Sequence, residues 1–413
     1  MEIKKLMSKL VLIMLVIGVI DIIGQGNNST SKLIQRKPSI SGYVKTSDGK
    51  PIKGVTITFS NNGGSTITYS NGYYIKFVPY GWSGTVTPSK QGYTFNPTYR
   101  SYSNVTSKQT NQNYTGIPNE SELTWNSVND WVYQLQNINL NNIGETKFDL
   151  VVIDYSSDGT EEGRFTATQI NTLKNSSGGQ KLVLAYMSIG EAENYRWYWD
   201  DSWDKDHDGN PDPGAPSWLG PSNPQWPGNY KVKYWEEGWQ EIIYGSPTSY
   251  LDKIIEAGFD GVYLDIIDAY EYWGPGGESG LNRVTAEQEM VDFVKDIANY
   301  ARVTKGKTDF GVFPQNGEGL SVHSDYVAIV TGIAKEDTWY NGNRPNNSTY
   351  INQVIENLDV FKEAGKLVLV IDYVTKQNLI DDFYSKAIEK GYIPYASVRA
   401  LNKLTINPGH EPD

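Results

Sequence analysis

The pattern of apolar and polar positions divides the chain into two parts with different periods. Between residues 38 and 116, short alternating runs are separated by turn dipeptides roughly every ten residues. In the run GVTITFS, Val55, Ile57 and Phe59 fall on one face and polar residues on the other, the period of a half-buried strand. The pattern predicts a small all-β sandwich domain over residues 38–116.

Between residues 122 and 405, apolar strands alternate with amphipathic helices, the pattern of a parallel sheet covered by helices. One helix is well marked, because Thr285 and Gln288 form a capping-box pattern ahead of apolar residues at helical spacing. Eight predicted strands favour an α/β fold, a (β/α)8 TIM barrel. They begin near residues 149, 181, 258, 309, 325, 366 and 392, with a weak one within 216–244.

An open doubly wound sheet is the alternative for this second part. That fold places a glycine-rich phosphate turn after its first strand. Here the corresponding segment reads DYSSDGTEEG and is acidic. The closed barrel is therefore the preferred interpretation.

Residues 1–30 are predicted to be a signal peptide or an N-terminal anchor with a linker. Lys4, Lys5 and Lys9 precede an apolar stretch over residues 10–20, the layout of a secretory signal. Asp21 interrupts the stretch, which is short for a bilayer span. No clear small-residue cleavage site follows, so an uncleaved anchor over residues 10–24 is the alternative. Either interpretation predicts an extracellular or cell-surface location.

The composition of the 413-residue chain limits the partners and the kinds of catalytic group that it can have. The formal net charge of −12 disfavours nucleic acid and anionic membranes as partners and favours a neutral or cationic substrate. The absence of cysteine excludes disulfides and thiolate nucleophiles. Its three histidines, His207, His323 and His410, lack zinc-ligand spacing and a partner serine motif, so no catalytic cofactor is expected.

Acids and aromatic residues gather at the ends of the predicted strands. A lone strand-end aspartate is more often a helix cap than a catalyst. In a barrel, however, the carboxyl ends of the strands meet at one mouth, and paired carboxylates between aromatic walls are what glycoside hydrolysis needs. The candidates are Asp154, Tyr155, Tyr186, Glu191, Asp265, Asp268, Asn316, Glu318, Glu336, Asp372 and Tyr373.

Residues 122–405 resemble glycoside hydrolase family 114, the endo-α-1,4-polygalactosaminidase-like TIM barrels. The stretches that carry the resemblance are AYMSIGEAENYRWYW, GFDGVYLDIIDAYEYW, PQNGE and AKEDTWY. The resemblance implies that Asp265 is the nucleophile or stabilising carboxylate and Glu336 the general acid/base, with Glu318 as the rival acid. The family's Asp-Asn-x-Asp pattern has Ile266 in place of the asparagine.

The resemblance implies roles for the other strand-end candidates, which would shape the sugar subsites: Asp154, Tyr155, Tyr186, Glu191, Asp268, Asn316, Asp372 and Tyr373. The function that it implies is a secreted or surface hydrolase that cleaves an amino-sugar polysaccharide of α-1,4-galactosaminide type. Acidic subsites suit a cationic amino sugar. The alternative is a non-catalytic polysaccharide-binding protein of the cell surface.

The N-terminal part resembles the carboxypeptidase-regulatory-like or prealbumin-like β-sandwich of secreted proteins. The resemblance rests on ISGYVKTSDGKPIKGVTITFS and on NGYYIKFVPYGWSGTVTPSKQGYTFNP. It implies a spacer. The alternative is a binding module in which Tyr80 and Trp82 stack on a sugar.

One motif has the spacing of a cation site. The segment DKDHDGNPD places Asp204, Asp206 and Asp208 at alternate positions before Gly209, as at the start of a calcium loop. The glutamate expected at the twelfth position is replaced by Ala215. A structural calcium ion and a solvated acidic turn are both compatible with the motif.

Overall fold

The computed structural model describes residues 37–90, 92–118 and 123–413. The chain divides into two compact units, residues 1–121 and 122–413. The predicted leader and anchor, residues 1–30, lie outside the described residues. Within the described ranges, every helix is too short or too polar to cross a bilayer.

Two four-stranded sheets form the described part of the N-terminal unit, in the strand orders β4-β1-β8-β6 and β3-β2-β5-β7. The strands are β1 (Ser39–Lys45), β2 (Thr56–Phe59), β3 (Gly64–Ile67), β4 (Tyr73–Phe77), β5 (Trp82–Ser89), β6 (Tyr93–Asn96), β7 (Arg100–Val105) and β8 (Tyr114–Pro118). Val55, Ile57 and Phe59 are buried as the alternation predicted, because one face of β2 packs into the shared core.

The two aromatic residues considered for sugar stacking have different environments. Trp82 is a core residue, and its Nε1–H donates a hydrogen bond to the Ser60 carbonyl oxygen at 3.2 Å. Its ring packs against Phe59 with a centroid distance of 5.9 Å. The stacking role considered for Trp82 is therefore wrong, whereas Tyr80 is exposed.

The second unit contains eight parallel strands in two ladders, ordered β18-β17-β13-β10-β9 and β19-β22-β23. One bridge pair, Gln315 with Ala334, joins β18 to β19. At the other seam, Trp131 Nε1–H donates to the Ile393 carbonyl oxygen at 3.0 Å. The result is a (β/α)8 barrel-like domain. Its strands are β9 (Trp131–Gln134), β10 (Leu150–Asp154), β13 (Leu182–Ser188), β17 (Gly261–Asp265), β18 (Gly311–Pro314), β19 (Gly332–Glu336), β22 (Leu367–Asp372) and β23 (Ile393–Ala396).

Short strands decorate the barrel, and helices follow most of its strands. The short strands are β11 (Asn175–Ser176), β12 (Gly179–Gln180), β14 (Glu191–Glu193), β15 (Leu219–Asn223), β16 (Trp226–Val232), β20 (Tyr340–Asn341) and β21 (Arg344–Pro345). The helices are α1 (Leu140–Gly144), α2 (Ala167–Lys174), α3 (Glu237–Ile243), α4 (Tyr250–Glu256), α5 (Ala269–Trp273), α6 (Ala286–Asn299), α7 (Ser324–Ile329), α8 (Ser348–Glu363) and α9 (Gln377–Lys390).

Helix α6 confirms the helical spacing in the sequence but begins differently from the prediction. Its apolar stripe, which includes Met290 and Val294, is buried. Thr285 occupies the N-cap position, yet its side chain makes no cap hydrogen bond to the backbone. Its hydroxyl instead donates to Glu289, which also pairs with Arg283. The predicted capping box is therefore replaced by side-chain contacts within the first turn.

The structure corrects two of the predicted strands. The weak strand within 216–244 is not a barrel strand, because β15 and β16 pair antiparallel in a separate small sheet with β14. The remaining barrel strand is β9, whose four residues are buried on both faces. The apolar run near residue 325 was predicted to be one strand, but its first half forms α7 and only its second half is β19.

Candidate active site

The carboxyl ends of the barrel strands form one mouth, where most of the predicted site residues lie. A cavity of about 370 Å³ opens there, and every residue that lines it has a polar side chain. A larger cavity of about 1110 Å³ adjoins the opposite strand ends, where it contacts Leu182, Asp260 and Phe310. Barrels of this kind hold their chemistry at the carboxyl ends. We therefore take the smaller, polar cavity as the candidate site and name it the mouth cleft.

Asp265 is the last residue of β17, and both of its carboxylate oxygens accept a hydrogen bond. Tyr186 donates its hydroxyl to Oδ2 at 2.7 Å, and the backbone N–H of Ile266 donates to Oδ1 at 2.8 Å. Burial and the nearby Asp265 raise the pKa of Tyr186 well above its ordinary value, so the phenol remains a donor. Asp265 is thus held in one orientation at the end of its strand.

Glu336 has the equivalent position at the end of β19. Tyr373, next to the end of β22, donates its hydroxyl to Oε1, and the side-chain amide of Asn316 donates to Oε2 at 3.2 Å. The other end of the Asn316 amide accepts from the backbone N–H of Glu336 at 3.3 Å. Two carboxylates from different strands are therefore each clamped by a tyrosine.

The two carboxylates interact electrostatically. Burial, followed by the charge of Glu336, raises the pKa of Asp265 to about 8. The hydrogen bonds from Tyr186 and Ile266 oppose this rise because they stabilise the ionised form. The Asp265 carboxyl therefore holds its proton more tightly than a free aspartate, because it is buried and a second carboxylate lies nearby. A carboxyl pKa that is raised in this way is a feature of acid–base sites.

Ile266 follows Asp265 with a φ of 61°, in the left-handed region that β-branched residues rarely adopt. Asparagine, which the family pattern has here, adopts this conformation more readily. The backbone conformation directs the N–H of Ile266 onto Asp265. The hydrogen bond at this position therefore comes from the main chain, and the strain lies beside the site, where such outliers tend to occur.

Two of the predicted subsite residues belong to a buried ion-pair network. Arg196 is almost fully buried and donates to both carboxylate oxygens of Asp154, at 2.9 and 2.7 Å, and to Glu193 at 2.6 Å. Its guanidinium also lies 5.5 Å from the ring centroid of Tyr155. Tyr155 is itself fully buried against Tyr250. The network therefore fixes the side chains of Asp154 and Tyr155 as part of the packing around the site.

Other acids of the mouth are paired with lysines that the sequence pattern did not single out. Glu191 accepts from Lys231 at 2.6 Å and from the Asn223 amide at 2.9 Å. Glu318 pairs with Lys335 at 3.3 Å. Lys231 lies in β16, 40 residues beyond Glu191. Only the antiparallel pairing of β14 with β16 brings the two together, so no local signal could have identified the pair.

Asp372 is fully buried at the end of β22, and its carboxylate accepts three backbone hydrogen bonds. The donors are the N–H groups of Thr338, Trp339 and Tyr340, at 2.7, 3.0 and 2.8 Å. Burial raises the pKa of Asp372 to about 7, and the three donors act against that rise. The carboxylate is therefore used to hold the loop that follows Glu336.

The mouth cleft also contains residues that the sequence interpretation did not identify. These additional residues are Lys335 and Asp337, on either side of Glu336, and Asn341, Asn346, Asn347 and Tyr350, which lie between β19 and the first turn of α8. The cleft lining consists of Asp268, Asn316, Lys335, Glu336, Asp337, Asn341, Asn346, Asn347 and Tyr350. Arg399 pairs with Asp337 at 2.8 Å and lies 4.4 Å from the ring centroid of Tyr373. Amide and hydroxyl groups of this kind suit a sugar with many hydroxyls.

The three aspartates of the calcium-loop motif lie together, with one carboxylate oxygen of each within 4.8 Å of the others. Asp204 is buried and already accepts from Tyr230 at 2.5 Å and from the Gly209 N–H at 3.1 Å. Asp206 and Asp208 are exposed. The arrangement fits the start of a calcium loop. Calcium binding remains a prediction.

The sequence model of the glycoside-hydrolase family GH114 matches residues 114–411, well over half of the chain. The chain belongs to this family. The match begins in β8 and so extends into the last strand of the N-terminal unit. The barrel-like domain with its paired carboxylates is thus a glycosidase of family GH114.

Curated relatives of this GH114 glycosidase span most of the barrel. The uncharacterized protein MJ1477 of Methanocaldococcus jannaschii is 42% identical over 326 residues, which cover 75% of this chain and 88% of that protein. An uncharacterized protein of Thermotoga maritima is 37% identical over 294 residues, which cover 68% of this chain and 85% of the relative.

Two solved structures show more distant similarity to the GH114 glycosidase. The glycoside hydrolase domain of PelA from Pseudomonas aeruginosa matches with a TM-score of 0.47 and 14% identity, over 68% of this chain and 99% of that domain. Ega3 of Aspergillus fumigatus, solved in complex with galactosamine, matches with a TM-score of 0.49 and 19% identity, over 69% of this chain and 97% of Ega3.

Proposed function

We propose that this glycosidase hydrolyses an amino-sugar polysaccharide of α-1,4-galactosaminide type by acid–base chemistry between two carboxylates. The observation that carries the proposal is the pair Asp265 and Glu336. The two residues end different strands of the barrel, each is held by a tyrosine hydroxyl, and they are electrostatically coupled. Glycoside hydrolysis requires one carboxyl group that is protonated and one that is ionised.

In the proposed mechanism, Glu336 protonates the leaving oxygen and Asp265 attacks or stabilises the anomeric carbon. Glu336 lines the mouth cleft, where the bound polysaccharide would place its glycosidic oxygen. Asp265 is held through both oxygens, which suits a group that must face one carbon atom. A cationic sugar that enters the site favours the ionised form of Asp265, as its role at the anomeric carbon requires.

Glu318 is the rival acid, and its ion pair argues for a different role. Its carboxylate is engaged with Lys335 at 3.3 Å, whereas Glu336 has no ion pair among the described residues. Lys335 also donates to the Asn316 side chain at 3.2 Å. Glu318 therefore supports the Asn316 amide that contacts Glu336, and we assign it a positioning role.

The charge of the protein supports a cationic amino sugar as the substrate. The chain has a formal net charge of −12. Lys231, Lys335 and Arg399 are each neutralised by an acid of their own at the mouth. Asp265, Asp268 and Glu336 remain without a basic partner among the described residues. An excess of acid of this kind attracts cations.

We also propose that the enzyme acts outside the cell or at its surface. The basis is the basic and apolar pattern of residues 1–30, which is typical of an export signal. A structural calcium ion at Asp204, Asp206 and Asp208 would stabilise a loop, and the reaction itself requires no cofactor.

The proposal is tested by following new reducing ends when the full chain is incubated with a galactosamine polymer and with its N-acetylated form. We expect the wild-type protein to cleave at least one of them. We expect Asp265→Asn and Glu336→Gln each to lower kcat by about 100-fold or more. Glu318→Gln is the matched control for Glu336→Gln, and we expect a loss of roughly 10-fold or less.

The outcomes separate the enzyme from a polysaccharide-binding protein. Cleavage by the wild type but not by the Asp265 and Glu336 variants would support the proposed pair. An unchanged rate in Asp265→Asn would overturn its role. Binding of the polymers without new reducing ends from any of them would favour the non-catalytic alternative.

A further inference from the structure

Asp268 differs from the other acids at the mouth of the barrel. The others accept hydrogen bonds or pair with a cation, whereas the Asp268 carboxylate accepts no hydrogen bond and forms no ion pair with any described residue. The acids with partners are Asp154, Glu191, Glu193, Asp265, Glu318, Glu336, Asp337 and Asp372. A half-buried carboxylate without a partner loses solvation without compensation, unless a ligand supplies the partner.

The position of Asp268 relative to the catalytic pair is fixed by the backbone. Asp268 follows Asp265 by three residues on the same segment, and the intervening Ile267 is fully buried. The backbone N–H of Ala269 donates to the Ile266 carbonyl oxygen at 3.3 Å and closes the turn. Asp268 lines the mouth cleft together with Glu336. A group bound to Asp268 therefore lies beside the bond that Glu336 would protonate.

Two lysines lie near Asp268 but are already neutralised. Lys335 pairs with Glu318 at 3.3 Å, and Lys231 pairs with Glu191 at 2.6 Å. Burial, followed by the charge of Glu271, raises the pKa of Asp268 to about 6, while the two lysines act to lower it. At neutral pH Asp268 is therefore mainly ionised, in a place where its charge is poorly solvated.

We infer that Asp268 binds the ammonium group of an amino sugar in the mouth cleft and so selects for the deacetylated form of the polysaccharide. The inference rests on the proposed function and adds the residue that determines specificity. An ammonium group donates charge-assisted hydrogen bonds to the carboxylate. An acetamido group would bury the same carboxylate without neutralising it, which is unfavourable. Selection therefore comes both from attraction and from the penalty on the wrong substrate.

The test compares galactosamine oligomers with N-acetylated oligomers of equal length on the full chain. In Asp268→Asn we expect KM for the galactosamine oligomer to rise roughly 10- to 100-fold, with kcat changed about threefold or less. KM for the N-acetylated oligomer stays the same or falls. Asp268→Glu restores part of the preference because it returns the charge.

Glu271→Gln is the matched control. It removes a neighbouring negative charge from an exposed residue that does not line the cleft. We expect KM for both oligomers to stay within about threefold of wild type. A loss of preference in Glu271→Gln as large as that in Asp268→Asn would overturn the inference, because the general field would then explain the selection.

A binding measurement separates failure of the inference from failure of the proposed function. The Asp265→Asn protein is titrated calorimetrically with both oligomers, with and without Asp268→Asn. Tighter binding of the galactosamine oligomer that disappears when Asp268 is changed supports the inference, even if no cleavage is found. If the wild type cleaves and Asp268→Asn affects both oligomers equally, the inference is wrong and the proposed function stands.

Discussion

At the scale of single residues, Asp265 is held where its charge is disfavoured. Burial and Glu336 raise its pKa to about 8 from an ordinary value of 3.8. A raised folded-state pKa means that the folded protein binds the proton more tightly than the unfolded chain. The associated stability is fully present below about pH 4 and is lost as pH rises towards 8.

Asp265→Asn should therefore stabilise the protein in a pH-dependent way. The amide resembles the protonated acid and never becomes charged, so its advantage grows between about pH 4 and pH 8 and is constant above that. We expect a gain of about 1–3 kcal/mol at pH 9 and little gain at pH 4, allowing for the partial exposure of the site. Urea unfolding at the two pH values measures it.

Asp201→Asn is the control for this prediction, because Asp201 is exposed. We expect it to change the free energy of unfolding by about 0.5 kcal/mol or less at both pH values. An Asp265→Asn protein that is less stable than wild type at pH 9 would contradict the electrostatic interpretation of the site.

Single residues also show the limit of the sequence pattern. Strand-end position marked Asp265 and Asp154 equally, yet only Asp265 is coupled to a second carboxylate of the site. Asp154 pairs with Arg196, which lies 42 residues away in the chain. Residue type and local sequence could not distinguish the two aspartates. The difference is that a cation from a distant part of the chain, Arg196, lies beside Asp154.

At the scale of elements, Asp372 shows how one strand positions a neighbouring loop. Its carboxylate at the end of β22 binds the N–H groups of residues 338–340, directly after β19 and Glu336. If Asp372 bound the sugar, its mutation would change substrate binding. The three hydrogen bonds instead predict that its mutation changes the geometry of the loop.

Asp372→Asn should lower the free energy of unfolding by about 2–4 kcal/mol, because an amide turns one acceptor into a donor that faces backbone N–H groups. We expect kcat to fall roughly 10-fold through displacement of Glu336, with KM changed about twofold or less. Steady-state kinetics and urea unfolding measure these effects.

Asp381→Asn on the exposed side of α9 is the control, and we expect its free energy of unfolding to change by about 0.5 kcal/mol or less. A rise in KM without a change in stability for Asp372→Asn would instead support a direct contact with the sugar.

The elements themselves were partly predictable. Helix α6 and β17 have strong periodic patterns, and the structure contains both. The short strand β9 was missed because WVYQ is too brief for its periodicity to stand out, although all four residues are buried. The apolar residues of 216–244 serve a small antiparallel sheet and helix α3 instead of the barrel.

At the scale of the whole molecule, the excess of acid should guide a cationic polymer to the enzyme. The net charge of −12 acts in the same direction as the acids of the mouth that have no basic partner in the described part of the chain. Added salt screens this attraction because the Debye length shortens as ionic strength rises.

We expect KM for a galactosamine polymer to rise roughly 10-fold between about 0.05 M and about 0.5 M NaCl, with kcat nearly unchanged. The N-acetylated polymer is the control, since a neutral chain should show almost no salt dependence. Equal salt effects on both polymers, measured by initial rates, would contradict electrostatic guidance by the protein.

The sequence by itself determined most of the barrel strands and the well-marked helix α6, the alternation of strands and helices, and the family to which the chain belongs. These properties depend on local periodicity and on contiguous motifs such as those around Asp265 and Glu336. The tertiary structure decided which acids are free and which are paired. Lys231 reaches Glu191, Lys335 reaches Glu318 and Arg196 reaches Asp154 only through the packing of separate elements. That Asp268 has no partner among the described residues could therefore be found only in the folded chain.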